Sequence, residues 1–211
     1  MIKILILDFD GVIVESEDIK TEAFRELFQE YENIDDIIQY HLHNSLSSRF
    51  EKFRYIYENF LDKEYNEEIE VIVSNKFSEI IFNRLVQCPF VVGAEEFLQT
   101  FSKLCPIYVV SASPQEELRK IITIRNIQNY FKGVWGNPNT KIDAISIILK
   151  SEKIKPTKAV YVGDRVGDFE IAQKVGVPFI GRRNKESFEG FNVSEFPDLI
   201  GVRRWLQGKI E

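Results

Sequence analysis

The sequence has few of the residues that build disulfides and zinc sites, with two cysteines and two histidines in 211 residues. Cys88 and Cys105 stand alone, so they form neither a CxxC pair nor a disulfide framework. His41 and His43 have no neighbours at zinc-ligand spacing, and we interpret them as part of a solvated loop. These scarcities predict a reduced, cytoplasmic protein.

Long apolar runs and an excess of positive charge are also missing. No run approaches the roughly 20 residues that a membrane-spanning helix needs. A formal net charge of -6 disfavours nucleic acid as a partner. Hydrophobic residues make up 44% of the chain and charged residues 28%, which is the balance of a globular protein with a packed core. The sequence therefore predicts binding to neither membrane nor nucleic acid, and it leaves monomer and homodimer open.

Glycine and proline are absent from residues 15–85. Aromatic and aliphatic residues recur there at helical spacing, as in Ala23, Phe24, Leu27 and Phe28, which indicates amphipathic helices. We predict that residues 15–87 form an inserted helical cap domain. Residues 1–14 and 88–211 then form one α/β core.

The predicted core alternates short apolar runs with helical patterns. The runs are typical of buried parallel strands and cover residues 2–7, 107–110, 133–135, 159–162 and 178–180. The helical patterns cover residues 94–103, 114–125, 142–151, 169–175 and 196–207. Strands that alternate with helices predict a doubly wound, Rossmann-like parallel sheet.

Two local patterns lead to predictions of a structural kind. Ser113, Pro114 and Glu116 have the spacing of a capping box, with Ser113 as the N-cap of the helix that follows. Arg182 and Arg183 come directly after the last predicted strand. We interpret this pair of arginines as solvated.

Polar side chains follow three of the predicted strands at the points where those strands end. Asp8 and Asp10 follow the first strand, and Ser111 follows the second. Asp164 and Asp168 follow the strand at residues 159–162. Because open parallel sheets bind ligands at the carboxyl ends of their strands, we expect these side chains to converge on one edge.

Carboxylates that converge in this way repel one another unless a cation offsets their charge. Mg²⁺ suits such a site because it prefers hard oxygen ligands. We predict that Asp8 and Asp164 bind Mg²⁺ directly and that Asp10 binds it through its backbone carbonyl. Asp168 either binds through a water molecule or orients Asp164.

These residue types support phosphoryl transfer. Asp8 can attack phosphorus and form an aspartyl-phosphate, while Asp10 acts as general acid and then general base. Ser111 can donate a hydrogen bond to a phosphoryl oxygen, and Lys141 can neutralise phosphoryl charge and hold Asp8. Gly11 allows a tight turn that brings backbone amides to the phosphate.

Four segments in this order resemble the four motifs of the haloacid dehalogenase-like hydrolase superfamily. They are Asp8-Phe9-Asp10-Gly11-Val12, Val109-Val110-Ser111, Lys141, and Gly163-Asp164-Arg165-Val166-Gly167-Asp168. The helical insert resembles the cap of phosphoglycolate phosphatases and β-phosphoglucomutases. This resemblance implies a Mg²⁺-dependent aspartyl-phosphate mechanism, and the presence of Asp10 disfavours dehalogenases and phosphonate hydrolases of the superfamily.

Several further residues are candidates for the site. We include Gly11 and Ala112 among the substrate-binding residues. Arg49 and Lys52 of the insert are candidates for contacts with the non-phosphate end of a substrate, with an exposed helix start as the alternative. Lys132 is the nearest other lysine to Lys141, but it precedes its strand and is expected to point elsewhere.

The sequence thus predicts a phosphatase that acts on a sugar phosphate or a similar small phosphorylated metabolite. A phosphomutase of the same superfamily is an alternative, because it would use the same aspartyl-phosphate. A non-catalytic protein that binds a phosphometabolite is an alternative of another class. The substrate and the pathway are not determined by these residues.

Overall fold

The computed structural model describes residues 1–44, 47–185 and 187–210. The chain divides into two compact units. One unit combines Met1–Glu15 with Cys88–Glu211, and the other is Ser16–Gln87. Within the described residues, no helix is long and apolar enough to cross a membrane.

The first unit is built on a parallel sheet, which has six strands in the part of the chain that the structure describes. The strands are β1 (Ile4–Leu7), β2 (Ile107–Pro114), β3 (Gly133–Asn137), β4 (Ala159–Gly163), β5 (Phe179–Arg182) and β6 (Ser194–Phe196). Their order is β3-β2-β1-β4-β5-β6. Helices separate strands β1 to β5 along the chain, and the doubly wound α/β fold predicted from the sequence is confirmed.

Strand β1 lies inside the sheet, paired with β2 on one side and with β4 on the other. All four of its residues are buried, which explains why its sequence is a continuous apolar run rather than an alternating one. Because the neighbouring strands run parallel to it, their carboxyl ends lie at the same edge of the sheet.

Helices occupy much of the rest of the described chain. They are α1 (Glu17–Leu27), α2 (Ile34–His43), α3 (Arg49–Asn59), α4 (Glu67–Gln87), α5 (Ala94–Phe101), α6 (Gln115–Ile124), α7 (Lys141–Ser151), α8 (Val166–Val175) and α9 (Leu199–Leu206). Helices α1 to α4 form the second unit. Its interior contains stacked and edge-on aromatic rings. The ring centroid of Phe24 lies 4.8 Å from that of Phe77 and 5.5 Å from that of Phe53.

The prediction that the two histidines lie in a loop was wrong, because both belong to α2, and only His43 is exposed as predicted. His41 lies in α2, is 9% exposed and stacks on Phe24 at 4.1 Å between ring centroids. The sequence alone did not distinguish a histidine on the apolar face of a helix from a histidine in a polar loop.

The end of the chain also differs from the prediction of a helix over residues 196–207. Phe196 belongs to the short strand β6, and α9 begins only at Leu199. Asp198 is the N-cap of α9, and its Oδ1 accepts a hydrogen bond of 2.8 Å from the Gly201 amide. A strand of three residues is too short to give a periodic signal.

The chain leaves the first unit and returns to it through two neighbouring segments. The Glu15 amide donates to the Pro89 carbonyl at 2.9 Å, and the Val91 amide donates to the Ile13 carbonyl at 3.0 Å. Arg182 Nη2 donates to Glu15 Oε1 at 2.5 Å. Arg182 is only 7% exposed, so its interpretation as a solvated residue was wrong.

Candidate active site

The loop after β1 turns back tightly, and this turn positions Asp8. The Ile13 amide donates to the Phe9 carbonyl at 2.9 Å, and Gly11 has a φ of +69°. A Cβ at Gly11 would also lie 2.6 Å from Cγ of Asp164. Glycine is therefore required here for its backbone conformation and for the close approach of the Asp164 carboxylate.

Asp8 is held by a backbone amide and by a lysine. The Phe9 amide donates to Asp8 Oδ1, and Lys141 Nζ donates to Asp8 Oδ2, both at 2.6 Å. Lys141 begins α7, and its predecessor Thr140 is the N-cap, whose hydroxyl accepts from the Asp143 amide at 3.1 Å. The helix start thus fixes the position from which Lys141 reaches the end of β1.

Lys141 also contacts a second carboxylate. Its Nζ donates to Asp168 Oδ1 at 2.6 Å, and the side chain of Asp168 is 3% exposed. Lys132 instead pairs with Glu152 at 2.6 Å. Of the two lysines weighed from the sequence, Lys141 is therefore the one in contact with Asp8.

Asp164 follows β4 and faces the turn at Gly11. It is 3% exposed, and Asn184 Nδ2 donates to its Oδ2 at 3.4 Å. Arg165 Nε lies 3.9 Å from the same oxygen. Asn184 had no signal in the sequence, because a single asparagine after a strand is typical of any turn.

The end of β2 brings two serines to this edge of the sheet. Ser111 is 2% exposed, and its Oγ accepts a hydrogen bond of 3.1 Å from the Ser113 amide. Ser113 Oγ donates to Asp10 Oδ2 at 3.1 Å. Ala112, between these serines, is exposed.

The predicted capping box at Ser113 was wrong. Strand β2 continues to Pro114, which is itself the residue before α6, and no side-chain capping bond is present there. The hydroxyl of Ser113 is directed to Asp10 instead. A helix start and an active-site contact require the same residue types, so local sequence could not separate them.

Three carboxylates form a group that could hold a metal ion. One oxygen from each of Asp8, Asp164 and Asp168 lies within 4.8 Å of the other two, and all three residues are buried. With Lys141 bound to two of them, these four groups carry an excess of two negative charges when ionised. Hard oxygen donors with this excess charge fit Mg²⁺.

The surroundings of Asp8 raise the pKa of its carboxyl from 3.8 to about 6. Burial is the largest cause, and the negative charges of Asp168 and Asp10 add to it, while Lys141 opposes the rise. Burial by itself would lower the pKa of the Lys141 ammonium, but Asp168 and Asp8 hold that pKa well above its usual range. Lys141 therefore stays charged between two carboxyl groups.

Arg49 and Lys52 both lie in α3 of the helical unit. Arg49 Nη1 donates to Ser78 Oγ at 2.7 Å. Lys52 is 4% exposed, and its Nζ donates to the His41 carbonyl at 3.2 Å. The role of these two residues in substrate binding stays a prediction.

The sequence model of the family described as haloacid dehalogenase-like hydrolase matches residues 5–182. No curated protein matches the sequence at a significant level.

Solved structures share the fold at low sequence identity. A protein from Haemophilus somnus described as a predicted phosphoglycolate phosphatase has 16% identity and a TM-score of 0.77, with 98% of each chain covered. The hydrolase YfnB from Bacillus subtilis, solved with bound magnesium, has 15% identity and a TM-score of 0.76, over 97% of this chain and 98% of that one. CbbY from Rhodobacter sphaeroides, solved with phosphate, has 14% identity and a TM-score of 0.75, over 96% and 100% of the two chains.

Proposed function

Because the chain belongs to the haloacid dehalogenase-like hydrolase family, we propose that it is a Mg²⁺-dependent phosphatase that works through an aspartyl-phosphate on Asp8. Its substrate is a small phosphorylated metabolite such as a sugar phosphate. The single observation that carries this proposal is the group of three buried carboxylates, Asp8, Asp164 and Asp168, with Lys141 bound to two of them.

The nucleophile in this proposal is Asp8. The Phe9 amide and Lys141 Nζ each bind a different oxygen of its carboxylate, so the side chain is fixed before a substrate arrives. Such fixed geometry removes much of the entropic barrier to attack on phosphorus. The ammonium of Lys141 then also offsets negative charge on the phosphoryl group.

Asp10 is proposed as the general acid and base. It lies two residues after the nucleophile, and the hydroxyl of Ser113 holds one of its oxygens. In its protonated form Asp10 gives a proton to the leaving oxygen, and as a carboxylate it then takes a proton from the attacking water. The Asp10 side chain is partly exposed, as exchange of protons with water requires.

Ser111 is proposed to bind a phosphoryl oxygen. Its Oγ already accepts a hydrogen bond from the Ser113 amide, so its own O–H is directed away from that amide and can donate. A bound Mg²⁺, held by Asp8 and Asp164 with Asp168 behind them, would supply positive charge to the phosphoryl oxygens. The magnesium in YfnB and the phosphate in CbbY support this assignment for proteins of the same fold.

A phosphate-release assay tests the proposal. The purified protein with Mg²⁺ is expected to hydrolyse a generic aryl phosphate and at least one member of a panel of sugar phosphates, phosphoglycolate and nucleotides. Asp8→Asn removes the nucleophile but keeps the shape of the side chain, and we expect the rate to fall by about 10³-fold or more. The exposed Asp36 provides a control, and Asp36→Asn should retain wild-type activity.

Full activity of Asp8→Asn would refute the mechanism. Analysis of the products separates hydrolysis from phosphoryl transfer, because a phosphomutase yields an isomer of the substrate and little free phosphate. Absence of turnover on the whole panel, together with absence of Mg²⁺ binding, would favour a non-catalytic protein.

A further inference from the structure

Tyr161 lies in an apolar strand, but its hydroxyl contacts a residue of the candidate active site. It lies in β4, its residue is fully buried, and its hydroxyl donates to Asp168 Oδ1 at 2.7 Å. The same oxygen accepts a hydrogen bond of 2.6 Å from Lys141 Nζ. Tyr161 is thus linked to Asp8 by three hydrogen bonds, through Asp168 and Lys141.

The carboxylate of Asp168 is confined on several sides. Its Oδ2 accepts from the Arg165 amide at 3.3 Å. A Cβ added to Gly163 would lie 2.5 Å from Asp168 Cβ, so the backbone of β4 packs directly against this side chain. The Tyr161 hydroxyl adds a second donor to Asp168 Oδ1, the oxygen that also binds Lys141. Because of this shared oxygen, rotation of the Asp168 carboxylate would displace the Lys141 ammonium.

The position of the hydroxyl is itself well determined. The Tyr161 ring belongs to the core between the sheet and helices α7 and α8, together with Ala144 and Ala172. It meets the ring of Phe179 edge-on at 5.8 Å. Burial and the nearby Asp168 keep the pKa of the tyrosine well above its usual range, so the hydroxyl keeps its proton and serves as a donor.

We propose that Tyr161 is a positioning residue of this site. Its hydroxyl fixes the Asp168 carboxylate, and through Asp168 it sets the place of the Lys141 ammonium beside Asp8. Two consequences follow, since Asp168 takes part both in the carboxylate group and in the bond to Lys141. Mg²⁺ affinity depends on the Tyr161 hydroxyl through Asp168, whatever reaction the site performs, and turnover depends on it if the proposed phosphatase function holds.

The fold provides a matched control in the same row of the sheet. Ile6 of β1 pairs with Tyr161 on one side and with Tyr108 on the other. Tyr108 is buried in the same core, and its hydroxyl donates to Glu152, which also pairs with Lys132. Each tyrosine therefore donates a hydrogen bond to a carboxylate that also pairs with a lysine. The partners of Tyr108, which are Glu152 and through it Lys132, are not among the residues of the candidate active site.

The experiment compares Tyr161→Phe with Tyr108→Phe. Each change removes one hydroxyl and keeps the ring, so we expect both variants to fold and to lose about 2–8 °C of melting temperature, with the larger loss in Tyr161→Phe because its hydrogen bond is buried and that of Tyr108 is part-buried. Mg²⁺ binding is measured by calorimetry without substrate. The dissociation constant is expected to rise by about 10-fold in Tyr161→Phe and to stay at the wild-type value in Tyr108→Phe.

Turnover provides the second measurement. At saturating Mg²⁺, kcat of Tyr161→Phe should fall by about 10- to 100-fold while KM changes by less than about twofold, because the displaced ammonium acts on the transition state. A purely structural role for Tyr161 would instead give equal Mg²⁺ affinities and equal kcat values in the two tyrosine variants, and that result would overturn the proposal.

A double-variant cycle tests whether the effect passes through Asp168. In the background of Asp168→Asn, the further change Tyr161→Phe should leave the Mg²⁺ dissociation constant within about twofold, since coupled residues are non-additive. An additive effect would contradict the proposal. Both changes are close in shape to the residues that they replace, and thermal unfolding of all four proteins verifies that each corner of the cycle is folded.

The two proposals can fail separately. If the wild-type protein hydrolyses no phosphate ester, the proposed function is refuted, but the Mg²⁺ affinities of the two tyrosine variants still decide the role of Tyr161. If the wild type is active and those affinities and kcat values are equal, the role of Tyr161 is refuted and the proposed function stands.

Discussion

Asp8 combines a proposed catalytic role with an electrostatic environment that disfavours its ionised form. Its pKa is raised to about 6, chiefly by burial and then by the neighbouring carboxylates. In the unfolded chain Asp8 ionises near pH 4. As the pH rises from about 4 to about 6, the unfolded state therefore gains the ionised form first, and the free energy of unfolding falls. Below that window the carboxyl is neutral in both states, and above it the loss is constant.

We therefore predict that Asp8→Asn stabilises the metal-free protein at neutral pH. In EDTA at pH 7.5 the gain should be about 1–3 kcal/mol, or about 2–12 °C in melting temperature. The gain should vanish near pH 4. Thermal unfolding at several pH values measures it, with Asp36→Asn as the exposed control; a gain that is the same at pH 4 and pH 7.5 would contradict the argument.

The residues of the site differ in how well the sequence reveals them. Asp8 and Asp164 directly follow buried strands and Asp168 lies in the first turn of the next helix, so their convergence could be predicted from the sheet alone. Tyr161 and Asn184 could not be found in this way. The first has the pattern of a core residue and the second that of a turn, and only the folded chain shows which carboxylate each one contacts.

Strand β2 shows how an element can extend beyond its apolar run and change the role of a residue. The run ends at Val110, but the strand continues to Pro114. Ser113 consequently lies at the end of a strand rather than at the start of a helix. Its hydroxyl holds Asp10, the proposed acid and base.

We predict that Ser113→Ala lowers kcat by about 10-fold, since the change releases Asp10 without removing it and a general acid contributes about 10²- to 10⁴-fold. The melting temperature should change by only a few degrees, because a single hydrogen bond contributes about 1 kcal/mol. Steady-state kinetics with the best substrate of the panel measures the effect. Ser146→Ala is the control, because that hydroxyl is exposed and bonds to the Ile142 carbonyl of its own helix; an equal loss in both variants would refute the role of Ser113.

Element boundaries were predicted less well than element types. The strands and helices of the core were found because their apolar runs and helical periods are long enough to count. The three-residue strand β6 was missed, and α9 began later than predicted. Strand β6 forms because it pairs with β5. Helix α9 starts at Leu199 because Asp198 caps it, and neither cause leaves a local periodic pattern.

The molecule as a whole is one core interrupted by a helical unit. Lys141 and the two carboxylates that it contacts, Asp8 and Asp168, belong to the unit that contains Met1–Glu15 and Cys88–Glu211. The two segments at the insertion point run side by side, with Glu15 bonded to Pro89 and Ile13 bonded to Val91. A short link can therefore replace Ser16–Gln87 without moving either segment.

We predict that a chain in which a short glycine-containing turn joins Glu15 to Cys88 folds and binds Mg²⁺ with an affinity close to that of the full chain. The physical reason is that the metal-binding carboxylates and their hydrogen-bond partners are all retained. Calorimetry and thermal unfolding measure both properties. A shortened chain that folds but binds no Mg²⁺ would show that the helical unit contributes to the metal site, contrary to this prediction.

The side-by-side segments at Glu15 and Pro89 also bear on the order in which the chain folds. Strand β1 is synthesised first, but its partners β2 and β4 start only at Ile107 and Ala159. Its pairing must wait while the ribosome makes the intervening chain, and pairing over such separations is slow. A helical unit that folds early, through its own local contacts, would shorten the loop that must be closed and hold the first strand near the place where its partners emerge.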